Sequence, residues 1–163
     1  MCEYCGCQQI ATIAELSSEH DAVVAHVSQI QSALAGERLE DVASSCQQIL
    51  AILAPHTVVE EEGLFAEMTE EFPDHIKVLR SEHREIEKVL GETTDGFPDD
   101  PTWPDRLLGA LHTLREHILK EQDGVFPAAL AALDADQWER IEAVRAQISL
   151  TSTIVTSSEE DSA

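Results

Sequence analysis

The chain has 163 residues and a formal net charge of −22, with 32 acidic residues against 10 Lys and Arg. Its length favours one domain with a real core, and its low aromatic content of 4% favours helices over sheet. The negative charge argues against nucleic acid and anionic membrane surfaces as partners, and no apolar run approaches the roughly 20 residues of a membrane span.

The N-terminal stretch lacks the basic and apolar regions of a signal peptide, so the cytoplasm is the predicted compartment. Three cysteines, Cys2, Cys5 and Cys7, lie within its first seven residues, and the fourth, Cys46, is distant in sequence. Residues 1–11 are predicted to form a mobile tail. A small redox role, soft-metal binding or docking onto the rest of the protein are the alternatives for these thiols.

Apolar residues spaced three or four apart predict the first two helices, over about residues 12–35 and 38–70. In each helix they form one stripe, here called the seam. The seam of the first helix is Ile13, Leu16, His20, Val23, Val27, Ile30 and Leu34; that of the second is Val42, Cys46, Ile49, Leu53, His56, Glu60 and Leu64. Pro55 lies inside the second helix, where it predicts either a kink that aims His56 or a tolerated bend.

Two further helices follow, from Pro73 to about Gly91 and from Trp103 to about Leu133, separated by a loop over residues 92–102. Their seams carry His83 in the third helix and His117 with Glu121 in the fourth. Because the connections are short, residues 12–133 are predicted to form an all-α, up-down-up-down four-helix bundle.

The C-terminal part is predicted to add one short helix and a disordered tail. Asp134 and Gln137 resemble a capping box, which would start a fifth helix over residues 134–148. That helix would lay Trp138, Ile141 and Val144 on the bundle. Residues 149–163 are rich in Ser, Thr and acidic residues and are predicted to be disordered.

The chain contains an internal repeat. The pattern H-x3-E-x2-G-(L/V)-F begins at His56 and again at His117, 61 residues later. Glu-His occurs at residues 19–20 and again at 82–83, 63 residues later. Each half therefore holds one helix with a lone seam histidine and one with a His–Glu pair, whose side chains share a helix face at i and i+4.

Six polar residues thus occupy core stripes: His20, His56, Glu60, His83, His117 and Glu121. An unpartnered carboxylate in the interior costs several kcal/mol. Since the basic residues fall off the seams, divalent or trivalent cations are the expected partners of the two carboxylates. Mixed imidazole and carboxylate ligands suit iron, manganese or zinc.

Three other histidines and one further glutamate have to be distinguished from these six residues. His26, His75 and His112 lie off the seams and are predicted to be exposed. Glu87 follows His83 by four residues and is either an added ligand or part of a solvated face. Ferritin-like di-iron bundles use Glu-x-x-His, and no histidine here has Glu three residues before it.

The set of a lone His20, His56-x3-Glu60, a lone His83 and His117-x3-Glu121 resembles the hemerythrin-like, or HHE cation-binding, family over about residues 12–133. The resemblance implies two non-haem iron ions, oxo- or hydroxo-bridged, inside a four-helix bundle. It implies that Glu60 and Glu121 bridge the irons. His20 and His56 would then serve one iron, and His83 and His117 the other.

Two departures from the oxygen-carrying hemerythrins bear on activity. Leu79 stands where they have a second histidine in the third helix, and Glu121 stands where they have Asp. Fewer protein ligands leave more room at the metals, which favours reaction over simple reversible oxygen carriage. The family resemblance therefore implies a protein that binds and reacts with dioxygen or peroxide, with nitric oxide as a further ligand, in catalase- or peroxidase-like oxidative-stress defence.

Two alternatives belong to other classes. One is a non-catalytic oxygen or iron sensor in which Cys2, Cys5 and Cys7 signal to a partner. The other is a bundle whose seams hold no metal and whose role is structural.

Overall fold

The computed structural model describes the backbone of residues 10–160 and the side chains of residues 10–150, and this part of the chain is helical and contains no strand. The predicted all-α class is confirmed. The α-helices are α1 (Ala11–Ala35), α2 (Leu39–Val58), α3 (Phe65–Met68), α4 (Pro73–Gly91), α5 (Trp103–Lys120), α6 (Phe126–Ala132) and α7 (Ala135–Glu160). The predictions for Cys2, Cys5 and Cys7 lie outside the described residues.

Four long helices surround one core. Helix α1 packs along α2, α4 packs along α5, α2 contacts α4, and α1 contacts α5. The core consists of two apolar clusters, one containing Val23 and Trp103 and the other containing Ile13 and Phe65. The up-down-up-down order of the helices stays a prediction.

The six seam residues lie between these two clusters along each helix. His20 of α1, for example, lies between Leu16 of one cluster and Val23 of the other. In α2, His56 follows Leu53 of the cluster that holds Val23 and precedes Val59 of the cluster that holds Leu16. The buried histidines and carboxylates are thus confined to one layer, with apolar packing on both sides.

Helices two and four, each predicted as one continuous α-helix, both contain a π-helical segment. The first π segment is Val59–Leu64, between α2 and α3, and the second is Glu121–Val125, between α5 and α6. Both fall on the repeated motif and end at its apolar residue after glycine; the second begins at the motif's glutamate and the first one residue before it. Periodicity did not reveal them, because one wider turn changes the spacing of seam residues very little. Single π turns occur frequently at functional sites. Pro55 lies within α2 without ending it.

Helix α7 begins with the predicted capping box, in which the backbone N–H of Gln137 donates to Asp134 Oδ1 (2.9 Å) and that of Asp134 donates to Gln137 Oε1 (3.0 Å). Trp138 and Ile141 are buried and Val144 is half-buried, as predicted. The structure continues α7 to Glu160, beyond the predicted end near Ile148 and through most of the stretch predicted to be disordered. No glycine or proline follows Pro127 to end the helix.

One stretch, Leu39–Met68, is long and apolar enough by length and composition to cross a membrane. It contains the buried ionisable side chains His56 and Glu60 and packs against α1 and α4. These features are those of a core helix in a bundle, which passes the same test of length and composition.

Candidate metal centre

The structure brings all six seam residues together. They are at most 5% exposed. Their nitrogen and oxygen atoms form two groups, and within each group one atom per residue lies within 4.8 Å of the others. The first ligand group is His20, His56, Glu60 and Glu121; the second ligand group is Glu60, His83, His117 and Glu121.

The two carboxylates belong to both groups, and each directs its oxygens to different histidines. Glu60 Oε1 lies 3.1 Å from His56 Nε2, and Glu60 Oε2 lies 3.2 Å from His83 Nε2. Glu121 Oε1 lies 2.9 Å from His117 Nε2, and Glu121 Oε2 lies 3.1 Å from His20 Nε2. A carboxylate with one oxygen in each group has the arrangement required to bridge two cations.

The inward-facing atoms lack hydrogen-bond partners. Both oxygens of Glu60 and Glu121, both ring nitrogens of His20, and Nε2 of His83 and of His117 are buried without one in the described part of the chain. No Lys or Arg described there forms an ion pair with either carboxylate. Buried polar atoms normally have partners, so this donor set fits cations bound between the helices.

Mutual attraction shifts the ionisation of these buried groups. Burial lowers the pKa of His56, but the charge of Glu60 and a hydrogen bond to Glu19 outweigh it and raise that pKa to about 10. Burial also lowers the pKa of His117, but the charge of Glu121 outweighs it and raises that pKa to about 9. Burial would raise the pKa of the Glu60 carboxyl, but His56 and His83 hold it well below its usual range. Metal binding must therefore displace protons from His56 and His117.

Three of the four imidazoles are also held from outside by carboxylates that the sequence analysis missed. Nδ1 of His56 hydrogen-bonds to Glu19 Oε2 (2.7 Å), Nδ1 of His83 to Glu61 Oε1 (2.9 Å), and Nδ1 of His117 to Glu82 Oε2 (2.9 Å). Such partners fix the tautomer and orientation of metal-ligating histidines. The Glu-His repeat contained the signal for two of them, since Glu19 and Glu82 each precede a seam histidine.

The phenylalanines of the repeated motif stack on the two lone seam histidines, His20 and His83. The ring of Phe126 lies 5.7 Å from that of His20 at an angle of 6°, and the ring of Phe65 lies 5.7 Å from that of His83 at 11°. The Gly-(L/V)-Phe suffix therefore supports the lone histidine of the opposite half. His20 Nδ1, in contrast, has no hydrogen-bond partner among the described residues.

A small cavity of about 10 Å³, enough for one water-sized ligand, adjoins the four imidazoles. Apolar side chains form much of its wall: Leu53, Ile86, Leu114 and Ile118. Thr57 and Glu87 also line it, and the Thr57 hydroxyl donates to Glu87 Oε1 (3.1 Å). Glu87 belongs to neither ligand group.

The three histidines predicted to be off the site are indeed separate from it. His75 and His112 are exposed, as predicted. His26 is half-buried rather than fully exposed, and its Nδ1 lies 3.1 Å from Gln29 Oε1. None of the three belongs to either ligand group.

The family model of the hemerythrin HHE cation binding domain matches residues 11–129, which include all six ligand candidates. The chain belongs to this hemerythrin family. Comparisons with curated proteins and with solved structures gave no significant match. The matched residues of the HHE domain end before α7, so this helix lies outside the part that defines the family.

Proposed function

We propose that this HHE domain holds two iron ions, one in each ligand group, and that the pair reacts with dioxygen or peroxide. The observation that carries the proposal is the pair of buried carboxylates, Glu60 and Glu121, each with one oxygen in each group and no hydrogen-bond partner in the described chain. The order of the two apolar clusters along the chain reverses from α1 to α2–α3, again to α4, and again to α5–α6. This reversal supports the up-down-up-down arrangement proposed for the bundle.

The residues would divide the work as follows. Glu60 and Glu121, which belong to both ligand groups, would hold both ions and supply negative charge. His20 and His56 would complete the first group of ligands, and His83 and His117 would complete the second. Bound iron supplies the electrons for redox chemistry, whereas the protein fixes the geometry and excludes water.

The cavity supports a small, uncharged ligand. Its small volume excludes bulky substrates, and its apolar wall favours molecules without charge. Leu79 is buried in the apolar cluster and offers no ligand atom, so the second position has only His83, His117 and the two carboxylates. This small ligand set leaves coordination positions for a substrate, which favours peroxide or dioxygen reactivity in oxidative-stress defence. Such a role fits a cytoplasmic protein that contacts neither membrane nor nucleic acid.

A non-catalytic oxygen or iron sensor is the second candidate. The observation that favours it is the size of the cavity, which has room for one water-sized ligand and little else. Apart from the ligand candidates, Glu87 and Thr57 are the polar side chains that line it. A sensor would bind its ligand stably, whereas an enzyme would turn it over.

The test is to quantify iron in the purified protein and to record its optical spectrum before and after peroxide. We expect about two irons per chain, a spectrum that changes with peroxide, and evolution of oxygen. A matched pair of variants on α5 provides the control: His117→Ala should lose about one of the two irons, while His112→Ala, at an exposed position on the same helix, should lose none. A stable oxygenated spectrum without oxygen evolution would indicate the sensor, and a chain without iron would contradict both.

A further inference from the structure

The two carboxylates that orient His56 and His117 are equivalent in the repeat but are held by cations from different helices. Glu82, which accepts from His117, forms an ion pair with Lys120 of α5. The residue 61 positions before Lys120 is Val59, which is fully buried and carries no charge. Glu19, which accepts from His56, therefore has no cation from the corresponding position.

Arg145 of α7 supplies that cation. Its Nη1 donates to Glu19 Oε1 (2.7 Å) and its Nη2 to Glu19 Oε2 (3.2 Å), the same oxygen that accepts from His56. Its Nε lies 3.1 Å from Glu15 Oε2. Burial raises the pKa of the Glu19 carboxyl, but the hydrogen bonds and charges of His56 and Arg145 outweigh it and lower that pKa below its usual value. A two-pronged arginine contact fixes the orientation of a carboxylate as well as its charge.

Helix α7 docks on one side of the bundle, against the first π segment and α1. Ile141 is fully buried, and its Cγ2 lies 3.3 Å from the place where a Cβ of Gly63 would be. The same helix also places Arg140 on Glu67, with Nε 2.7 Å from Oε1. The polar partners of His83 are Glu60 and Glu61 and those of His117 are Glu82 and Glu121, and none of these residues belongs to α7.

We propose that Arg145 is a positioning residue through which α7 controls metal binding at the first ligand group, while the second ligand group does not depend on α7. The inference rests on the proposed function. The path runs from Arg145 to Glu19, from Glu19 to Nδ1 of His56, and from Nε2 of His56 to the metal. Because residues 11–129 alone match the family, this control is a feature of the chain's added helix.

The first experiment is an anaerobic Fe(II) titration of four variants. In Arg145→Gln the affinity of one of two sites should fall about 10-fold, and the other should be unchanged. This is the low end of the 10- to 100-fold effect of losing a direct outer partner of a ligand, because Arg145 acts through Glu19. Arg145→Lys should recover part of the loss. Arg140→Gln, which breaks an Arg–Glu pair on the same helix, should change neither site. Lys120→Gln should weaken the other site instead.

A double-mutant cycle identifies the affected site. When the second group is disabled by His117→Ala, adding Arg145→Gln should weaken the remaining Fe(II) site by the same factor of about 10. When the first group is disabled by His56→Ala, adding Arg145→Gln should leave the remaining site unchanged. Equal losses in the two backgrounds, or none in either, would overturn the proposal.

A metal-free readout separates this proposal from the proposed function. Imidazole ¹⁵N signals report the tautomer and hydrogen bonding of each ring. In metal-free Arg145→Gln the His56 signals should change and the His117 signals should stay, whereas Lys120→Gln should do the reverse. A wild-type chain that binds no Fe(II) would refute the proposed function; unchanged His56 signals would refute the role of Arg145.

Discussion

At the scale of single residues, the centre is a cluster of charges stabilised by mutual compensation. The interior carboxylates Glu60 and Glu121 are surrounded by four imidazoles, and the pKa of each carboxyl lies below its usual value although burial alone would raise it. Among the described residues, the imidazoles are the only charge partners within reach. Removing one member of such a group leaves the rest uncompensated.

Glu121→Gln is expected to affect both metal positions, whereas His56→Ala is expected to affect one. Each oxygen of Glu121 faces a different ligand group, so an amide in its place removes an anionic ligand from both. We predict that Fe(II) binding falls about 100-fold or more at both sites in Glu121→Gln. In His56→Ala, about one Fe(II) per chain should remain.

Glu87→Gln is the matched control for that prediction. Glu87 lines the cavity but belongs to neither ligand group, so its amide variant should retain both Fe(II) ions in the same titration. If Glu87→Gln lost a metal, Glu87 would be a further ligand. If Glu121→Gln lost only one, Glu121 would not bridge.

At the scale of elements, the two π segments occupy equivalent places in the repeat but have different neighbours. Helix α7 packs on the first segment, where Ile141 approaches Gly63. Around Gly124 of the second segment there is open space for a Cβ. The repeat is therefore symmetric in its ligands and asymmetric in its packing.

Gly63→Ala and Gly124→Ala should consequently have opposite effects. Alanine in place of a helical glycine gains roughly 0.5–1 kcal/mol of stability where there is room. Gly124→Ala should show that gain. At Gly63 the new methyl group would meet Ile141 Cγ2 at 3.3 Å, and crowding of this kind costs about 1–3 kcal/mol. Urea unfolding of the metal-free proteins should therefore rank Gly124→Ala above wild type and Gly63→Ala below it.

If Gly63→Ala were as stable as Gly124→Ala, α7 would not be tightly packed on the first π segment. In that case Arg145 would have to be held near Glu19 by its ion pairs alone. Because both substitutions lie in the same motif and add the same group, the comparison isolates the contact with α7.

The sequence revealed the elements to the extent that local pattern determines them. Seam periodicity predicted the start of α1 and the proline-led start of α4, and the capping box predicted the start of α7, because these signals depend on neighbours along the chain. The π segments and the extension of α7 to Glu160 were missed. The π segments were missed because one wider turn hardly changes the spacing of apolar residues along a seam. The extension of α7 was missed because a composition rich in Ser and Thr indicates solubility more directly than backbone conformation.

At the scale of the whole molecule, metal binding and stability should depend on pH in opposite ways. In the metal-free protein the pKa of His56 rises from 6.5 to about 10 and that of His117 from 6.5 to about 9. Their stabilising contribution is therefore full below about pH 6.5 and lost as pH rises to about 9–10. The lowered pKa of Glu60 gives a contribution that is full above about pH 4.5 and lost as pH falls through its folded value.

We therefore expect the metal-free protein to have a lower Tm at pH 9 than at pH 6. The self-repulsion of a chain with a formal charge of −22 acts in the same direction. Iron competes with protons for the imidazoles, so the rise in Tm on loading Fe(II) anaerobically should be greater at pH 9 than at pH 6. Thermal unfolding followed by circular dichroism at the two pH values checks both statements.

Acid should release the metal. Below about pH 4 the imidazoles are protonated in preference to binding a cation, and iron measured after gel filtration should fall to near zero. Iron retained well below pH 4 would show that the four imidazoles are not its ligands. A metal-free protein that is more stable at pH 9 than at pH 6 would show that His56 and His117 do not carry buried charge.

The sequence by itself determined which side chains enter the core. His20, His56, Glu60, His83, His117 and Glu121 stand on seams, and a seam is a property of spacing along one helix. It also determined the family to which these residues belong. Only the tertiary structure decided what lies behind each imidazole: Glu19 for His56, Glu82 for His117, and Arg145 behind Glu19. Those partners come from other helices, and which side chain meets a given Nδ1 depends on how the helices pack together.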